Sequence, residues 1–343
     1  MKSSIFTALA ILVFLLQGCS SGKEEYIAIT GFTQGSTYSI KYGSRPSYDR
    51  DLIRSDVADI LRSIDLSLSV YNDSSVISRI NRNEDVSTDT LFNEVFHRAM
   101  KISEATGGAF DITVMPLVKA WGFGPDRHKT FKPSGLDSLL NLVGYQKVEL
   151  RGNRIIKSVP GLSLDLNAIA QGFTVDIICR YFDRKKIKNY VVEVGGEVRT
   201  KGTKNGEPWR IGIDRPEDNN MVPGENLQAV LKLTNKALAT SGNYRKFYIE
   251  NGVKYAHHID PHTGYPTKNR VLSVSVVADE CSTADGMATG FMVMGLERSI
   301  AYIENRTDIE GYIVYSDYKG NFLTWISDGL RKDIEEEDST VPH

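Results

Sequence analysis

The segment E-C-S-T-A-D-G-M-A-T-G, Glu280 to Gly290, places a carboxylate and a hydroxyl four residues apart. If Ser282 or Thr283 caps a helix there, Asp285 and Thr289 lie one turn apart on the same face near its start. An Asp and a hydroxyl so placed suit a hard cation, although the same spacing is commonplace on solvated helix faces. Leu162 to Asp176, L-S-L-D-L-N-A-I-A-Q-G-F-T-V-D, is a second stretch of this kind. Leu162, Leu164 and Leu166 alternate as in a strand, and Phe173, Ile177, Ile178 and Tyr181 then follow helical spacing. Ala168, Ala170 and Gly172 fall at that junction, where N–H groups at a helix start and open backbone would admit a phosphate. The plainer alternative is an ordinary turn into a helix with Asp165 as its cap.

These groups need elements to hold them, and the chain supplies enough apolar material. Its 343 residues are 41% hydrophobic, sufficient for one large domain or two average ones. Lys and Arg number 41 against 43 Asp and Glu, and no run or face is basic, which argues against nucleic acid as a partner. No internal repeat or Pro- or Ser-rich linker divides the chain.

The N-terminus reads as a targeting segment. Lys2 precedes an apolar run, Ile5 to Leu16, of about a dozen residues, too short to span a bilayer comfortably. It closes on Leu16-Gln17-Gly18-Cys19, which resembles a bacterial lipobox. That resemblance implies a signal peptide over 1–18, lipidation of Cys19, and a polar tether over 19–26. Of the remaining cysteines, Cys179 sits among Ile177, Ile178 and Phe182 as a small buried hydrophobe, and no Cys/His spacing suggests zinc.

In chain order, Tyr26 to Tyr42 reads as strands around Gly31 and Gly35. Leu52, Ile53, Val57, Ile60, Leu61, Ile64 and Leu68 mark an amphipathic helix. Tyr71 stands in the polar turn beyond it, a flat side chain suited to stacking, though a lone aromatic is more often core. Thr88 to Ala105 is the next helix, with Asp89 or Thr90 as cap and Gly107 as stop. The paired glycines before Ala109-Phe110-Asp111 predict a close approach to the backbone, and Trp121 and Phe123 offer rings on a permissive loop. A helix over Leu136 to Val143 leads to a hairpin turning at Gly152-Asn153. Strands follow at 190–194, 209–214, 227–233, 271–277, 311–315 and 321–326. The acidic tail, 332–343, has little to bury and reads as disordered.

Six segments occur in the order found in the ApbE family: G-G-A-F-D at 107–111, L-D-L-x-x-I-A-x-G at 164–172, G-G-E at 195–197, A-T-S-G-N-Y at 239–244, H-H-I-D-P-x-T-G at 257–264 and A-D-G-M-A-T at 284–289. The chain therefore resembles the FAD:protein FMN transferases over nearly its whole mature length. The resemblance implies a single large α+β domain over 27–331, T-fold-like, with a mixed or antiparallel sheet flanked by helices. It implies a periplasmic, lipid-anchored protein that uses FAD and Mg²⁺ and transfers FMN to an acceptor threonine. Implied acceptors are flavin subunits of membrane redox pumps of the Na⁺-translocating NADH:quinone reductase or Rnf type. An FAD pyrophosphatase and a passive flavin-binding lipoprotein are the alternatives; an intact Asp285, Thr289 and His257 argue against the passive role.

Carried over position by position, the metal ligands are Asp285, Thr289 and the main-chain carbonyl of Ala168. Gln34, Tyr71, Ala109, Phe110, Asp111, Asp165, Gln171 and Ile259 match FAD-lining positions, and His257 matches the general base. Adjacent strand residues face opposite ways, so an extended segment would keep His258 out of the site. His258 and His262 are thus expected to face elsewhere, while Asp260-Pro261 and Gly264 form turns and Gly195-Gly196 a close backbone approach. Asn167-Ala168 stands where family members often carry Gly-Gly, Gln171 where Lys or Glu is usual, Gln34 where Met is common, and Ala288 where some carry Asp.

Overall fold

The computed structural model describes residues 24–125, 135–218, 220, 222–244, 247–250 and 253–336. The predicted signal peptide and Cys19 lie outside them. A hairpin, β1 (Tyr26–Thr33) and β2 (Ser36–Gly43), precedes helices α1 (Arg50–Leu68), α2 (Val76–Asn81), α3 (Thr90–Ala105), α4 (Met115–Ala120) and α5 (Leu136–Leu140). The predicted small hairpin follows as β3 (Val148–Arg151) and β4 (Arg154–Lys157), then α6 (Asn167–Arg184). Next come β5 (Tyr190–Val194), β6 (Glu197–Lys201), β7 (Trp209–Asp214), β8 (Leu227–Leu233), β9 (Ala237–Gly242), β10 (Phe247–Glu250) and β11 (Val253–Ala256). The chain ends with β12 (Val271–Ala278), α7 (Cys281–Met294), α8 (Leu296–Glu304), β13 (Ile309–Ser316), β14 (Phe322–Ile326) and β15 (Ile334–Glu336).

Eight of these strands form one sheet in the order β1-β2-β5-β6-β9-β12-β13-β14, with each neighbouring pair antiparallel. The α+β class therefore holds, in its antiparallel form. The register explains the apolar density of β12 and β13. Val274, Val276 and Ile313 face a core shared with α3, α6 and α7. Val277, Tyr312 and Val314 face the opposite way, against a second sheet ordered β15-β8-β7. Strands buried on both faces lose the simple alternation of a half-exposed sheet. A third core, built from Ile40, Tyr42, Val57, Phe182 and Val192, packs α1 and α6 on β2 and β5.

Several local expectations change. Leu162 to Leu166 carries no regular secondary structure and joins no sheet. The Asn81 side chain brackets it, accepting from the Leu164 N–H (2.7 Å) and donating to the Leu164 carbonyl (2.9 Å), so an amide does the work of a neighbouring strand. Helix α5 ends at Leu140, three residues short of Val143, its expected last residue. Tyr26 belongs to β1, and its ring meets Trp209 edge-on while Glu24 accepts from Tyr26 Oη and Asn189 Nδ2, so the end of the tether is docked. The acidic tail is also partly ordered: Ile334–Glu336 pairs with β8, and Glu335 bridges Arg210 and Lys232. Residues 337–343 lie outside the described set.

Candidate active site

Helix α3 begins where expected, with Asp89 accepting from the Phe92 N–H at 2.8 Å. Helix α7 does not cap itself. Its N-cap is Glu280, without a side-chain cap bond. The Ser282 hydroxyl instead donates to Asp176 of α6 (2.6 Å), and the same carboxylate accepts the Cys281 and Ser282 N–H groups. Its start at Cys281 still leaves Asp285 and Thr289 one turn apart.

The seam between α6 and α7 brings the predicted metal ligands together. Gly172 makes it possible: a Cβ there would lie 2.5 Å from the Cys281 carbonyl oxygen and 2.8 Å from Asp285 Cβ. Across this contact the Gly172 N–H donates to Asp285 Oδ2 at 2.9 Å. In a regular helix that N–H belongs to the Ala168 carbonyl one turn back. Asp285 thus reaches the same turn of α6 that carries the Ala168 carbonyl. Asp285 is only 6% exposed, and burial lifts its carboxyl to about 7, with Gly172 pulling it down and Asp176 pushing it up. Thr289 Oγ1 lies 3.1 Å from Ser241 Oγ on β9.

The start of α6 is less open than its small residues suggest. Asp165 Oδ1 accepts from the Asn167 N–H (2.8 Å), and the Leu166 carbonyl accepts from Ile169 and Ala170. Asp165, one residue before the N-cap Leu166, thus takes up the Asn167 N–H, and the N–H groups of Asn167, Ile169 and Ala170 all have partners within the chain. Gln34, at φ +50 in the β1-β2 turn, donates through Nε2 to Thr174 of α6 at 2.6 Å. Gln171 lies over Gly195, so closely that a Cβ on Gly195 would collide with its amide, as expected for that pair of glycines.

The segment 107–112 ties the remaining pieces to this seam. Phe110 packs against Gly286 and Gly290 of α7, and the Ile112 carbonyl accepts from Asp165 N–H at 2.7 Å. The Asp111 carboxylate accepts from Thr113 N–H, Thr113 Oγ1 and Tyr145 N–H, and burial raises its carboxyl above the usual range. His262, expected to face elsewhere, instead reaches this segment. Its Nε2 is 3.0 Å from the Gly107 carbonyl, and its Nδ1 is 3.1 Å from Asp260 Oδ1. That is the close approach the paired glycines predict, since Gly107 and Gly108 both adopt positive φ. Gly264, at φ +74, forms the expected turn, with its N–H on the Asp260 carbonyl.

Residue 257 follows β11 in a bend rather than a strand. Opposite-face alternation fails there, and the His257 and His258 rings lie side by side, with centroids 4.1 Å apart. His258 is buried and His257 partly exposed. Phe123 meets the His257 ring edge-on at 6.4 Å, within a cluster holding Tyr248, Tyr255 and Trp121. Trp121 is buried in that cluster with Ile259, not displayed on a loop, and its Nε1 donates to the Gly264 carbonyl. Tyr71, by contrast, is 65% exposed on the turn after α1.

The family model described as the ApbE family matches residues 34–313, most of the chain and every segment of the site just described. The chain belongs to the ApbE family. It is 40% identical over 306 residues to the FAD:protein FMN transferase of Vibrio cholerae serotype O1, covering 87% of this chain and 89% of that protein. The Haemophilus influenzae FAD:protein FMN transferase is 34% identical over 346 residues, covering 97% and 98%. The solved structure of the flavin transferase ApbE from Vibrio cholerae superposes with a TM-score of 0.81 at 35% identity, covering 90% of this chain and 99% of that one.

Two residues of this ApbE-family site carry no role in the sequence reading: Ser241, beside Thr289, and Asp176, beneath the start of α7. Both lie within the segments 162–176 and 239–244, but only the packing shows what they touch. Ala288 is fully buried in the core shared by α3, α6 and α7. Among the described residues, no group of three or more His, Cys, Asp or Glu side chains could hold a metal unaided.

Proposed function

We infer that this chain is an FAD:protein FMN transferase, moving the FMN half of FAD to a threonine hydroxyl of an acceptor protein and releasing AMP. Its kinship with the Vibrio cholerae transferase carries the reading, because the likeness takes in 87% of this chain and 89% of that protein.

Asp285, Thr289 Oγ1 and the Ala168 carbonyl are the donors assigned to Mg²⁺. All are hard oxygens, and the buried Asp285 carboxylate gains from a cation that offsets its charge. Bound there, Mg²⁺ would screen the pyrophosphate and stabilise charge on departing AMP. Tyr71 offers an exposed face for stacking, and Gln34, Ala109, Phe110, Asp111, Asp165, Gln171 and Ile259 are assigned to the flavin site. For Asp111 and Ile259 the assignment concerns backbone placement, since the Asp111 carboxylate already holds three donors.

His257 takes the proton from the acceptor threonine as its oxygen bonds to the FMN phosphorus. The bond from that phosphorus to the bridging oxygen breaks, and AMP leaves with that oxygen and the electron pair. A positioned base contributes on the order of 10² to 10⁴ in rate. Lipidation of Cys19 would hold the enzyme at the periplasmic face of a bacterial membrane, within reach of flavin subunits of redox pumps. The deciding experiment incubates the chain with FAD, Mg²⁺ and a cognate subunit and weighs that subunit. An FMN adduct with stoichiometric AMP is expected; free FMN and AMP without an adduct would make the protein a pyrophosphatase.

A further inference from the structure

A charged cluster beneath the start of α7 takes no part in the chemistry above. Asp176 is 1% exposed. Its Oδ1 accepts from Arg199 Nη1 at 2.6 Å and from the Cys281 N–H at 2.9 Å. Its Oδ2 accepts from the Ser282 N–H at 3.0 Å and from Ser282 Oγ at 2.6 Å. Arg98 of α3 completes the cluster, donating to Ser282 Oγ at 2.9 Å and lying 3.8 Å from Asp176 Oδ2. A helix start leaves N–H groups without partners, normally satisfied by a side chain just before it. Here a different helix provides the acceptor.

The arrangement is reciprocal. Gly172 and Asp176 stand one turn apart on α6, and Cys281 and Asp285 one turn apart on α7. The Gly172 N–H goes to Asp285, and the Cys281 N–H goes to Asp176. Each helix thus lends a carboxylate to the other's backbone. Two such clamps a turn apart fix both the rotation and the axial position of α7, whereas either alone would leave a pivot. We propose that Asp176 is a positioning residue for the metal ligands: it sets the depth at which α7 presents Asp285 and Thr289 to the cation. This rests on the assignment of those two residues to Mg²⁺.

The test titrates Mg²⁺ into the FAD-saturated full-length protein without acceptor, by calorimetry, and separately measures transfer against Mg²⁺ concentration. Asp176→Asn should weaken Mg²⁺ binding about tenfold or more, the usual scale for an outer residue that orients a ligand. Ser282→Ala, which removes one of the bonds to Asp176, should weaken it measurably but by less, and keeps the test open if the first variant fails to fold. Saturating Mg²⁺ should restore most of the transfer rate in both. Wild-type Mg²⁺ affinity in Asp176→Asn, or in a folded Ser282→Ala if the first variant does not fold, with nothing altered except the melting temperature, would overturn the proposal. Asp285→Asn serves as the control: if it binds Mg²⁺ like wild type, the ligand assignment falls, and the proposal with it.

Discussion

The Gly172 N–H and the Asp285 carboxylate, 113 residues apart in sequence, meet at 2.9 Å across the seam of two helices. The bond needs a residue without a side chain on α6, because any Cβ there meets the Cys281 carbonyl at 2.5 Å. Gly172→Ala should therefore push α7 outward, costing roughly 1–3 kcal/mol of stability. FMN transfer should fall by more than the lost folded fraction explains. Thermal unfolding alongside single-turnover transfer checks this, and wild-type transfer in the folded variant would refute it.

Asp285 gives the metal-free protein a definite pH dependence. Its carboxyl is raised to about 7 in the fold, above the unfolded value of about 3.9. The folded state thus binds the proton more tightly, so this contribution is fully present below about pH 4 and is lost as pH rises through about 7. Asp285→Asn should match wild type near pH 4 and exceed it at pH 8 by on the order of 2–4 kcal/mol. Chemical denaturation at both pH values, with chelator present, measures the difference. Adding Mg²⁺ at pH 8 should stabilise the wild type and leave the variant unmoved.

The adjacent histidines should separate by phenotype. His257→Ala is expected to lower adduct formation about 10² to 10⁴-fold with little change in melting temperature. His258 is buried, so its replacement should show first as lost stability. Acceptor mass analysis with melting curves distinguishes them. Equal adduct yield from His257→Ala and wild type would remove it as the base.

The proposed membrane anchoring rests on Leu16-Gln17-Gly18-Cys19. Cys19→Ala should move the protein from the membrane fraction to the soluble one without changing transfer in detergent extract. Fractionation followed by immunodetection reads the outcome, and undiminished membrane retention would mean that another element holds the protein there.

Much of this was legible in one dimension because the signals are local. Asp89 caps α3 and Gly152-Asn153 turns a hairpin as their residue types dictate. The pairing of Asp285 with Thr289 needs only helical spacing. The family likeness was legible too, since six short segments in order survive changes elsewhere. Leu162 to Leu166 misled because alternation reports which side is buried, not what lies alongside, and here the neighbour is the Asn81 amide.

The sequence by itself determined the local elements, the ordered segments and the side chains able to bind a cation or move a proton. Only the tertiary structure decided that Asp176 caps α7 across 105 residues, that His262 reaches the Gly107 carbonyl across 155, and that Ser241 meets Thr289. The physical reason is range. Caps, turns and helical faces are set within a few residues, whereas these contacts exist only once sheet and helices have packed. A carboxylate that looks like any other on a helix becomes a clamp through the distant backbone it is pressed against.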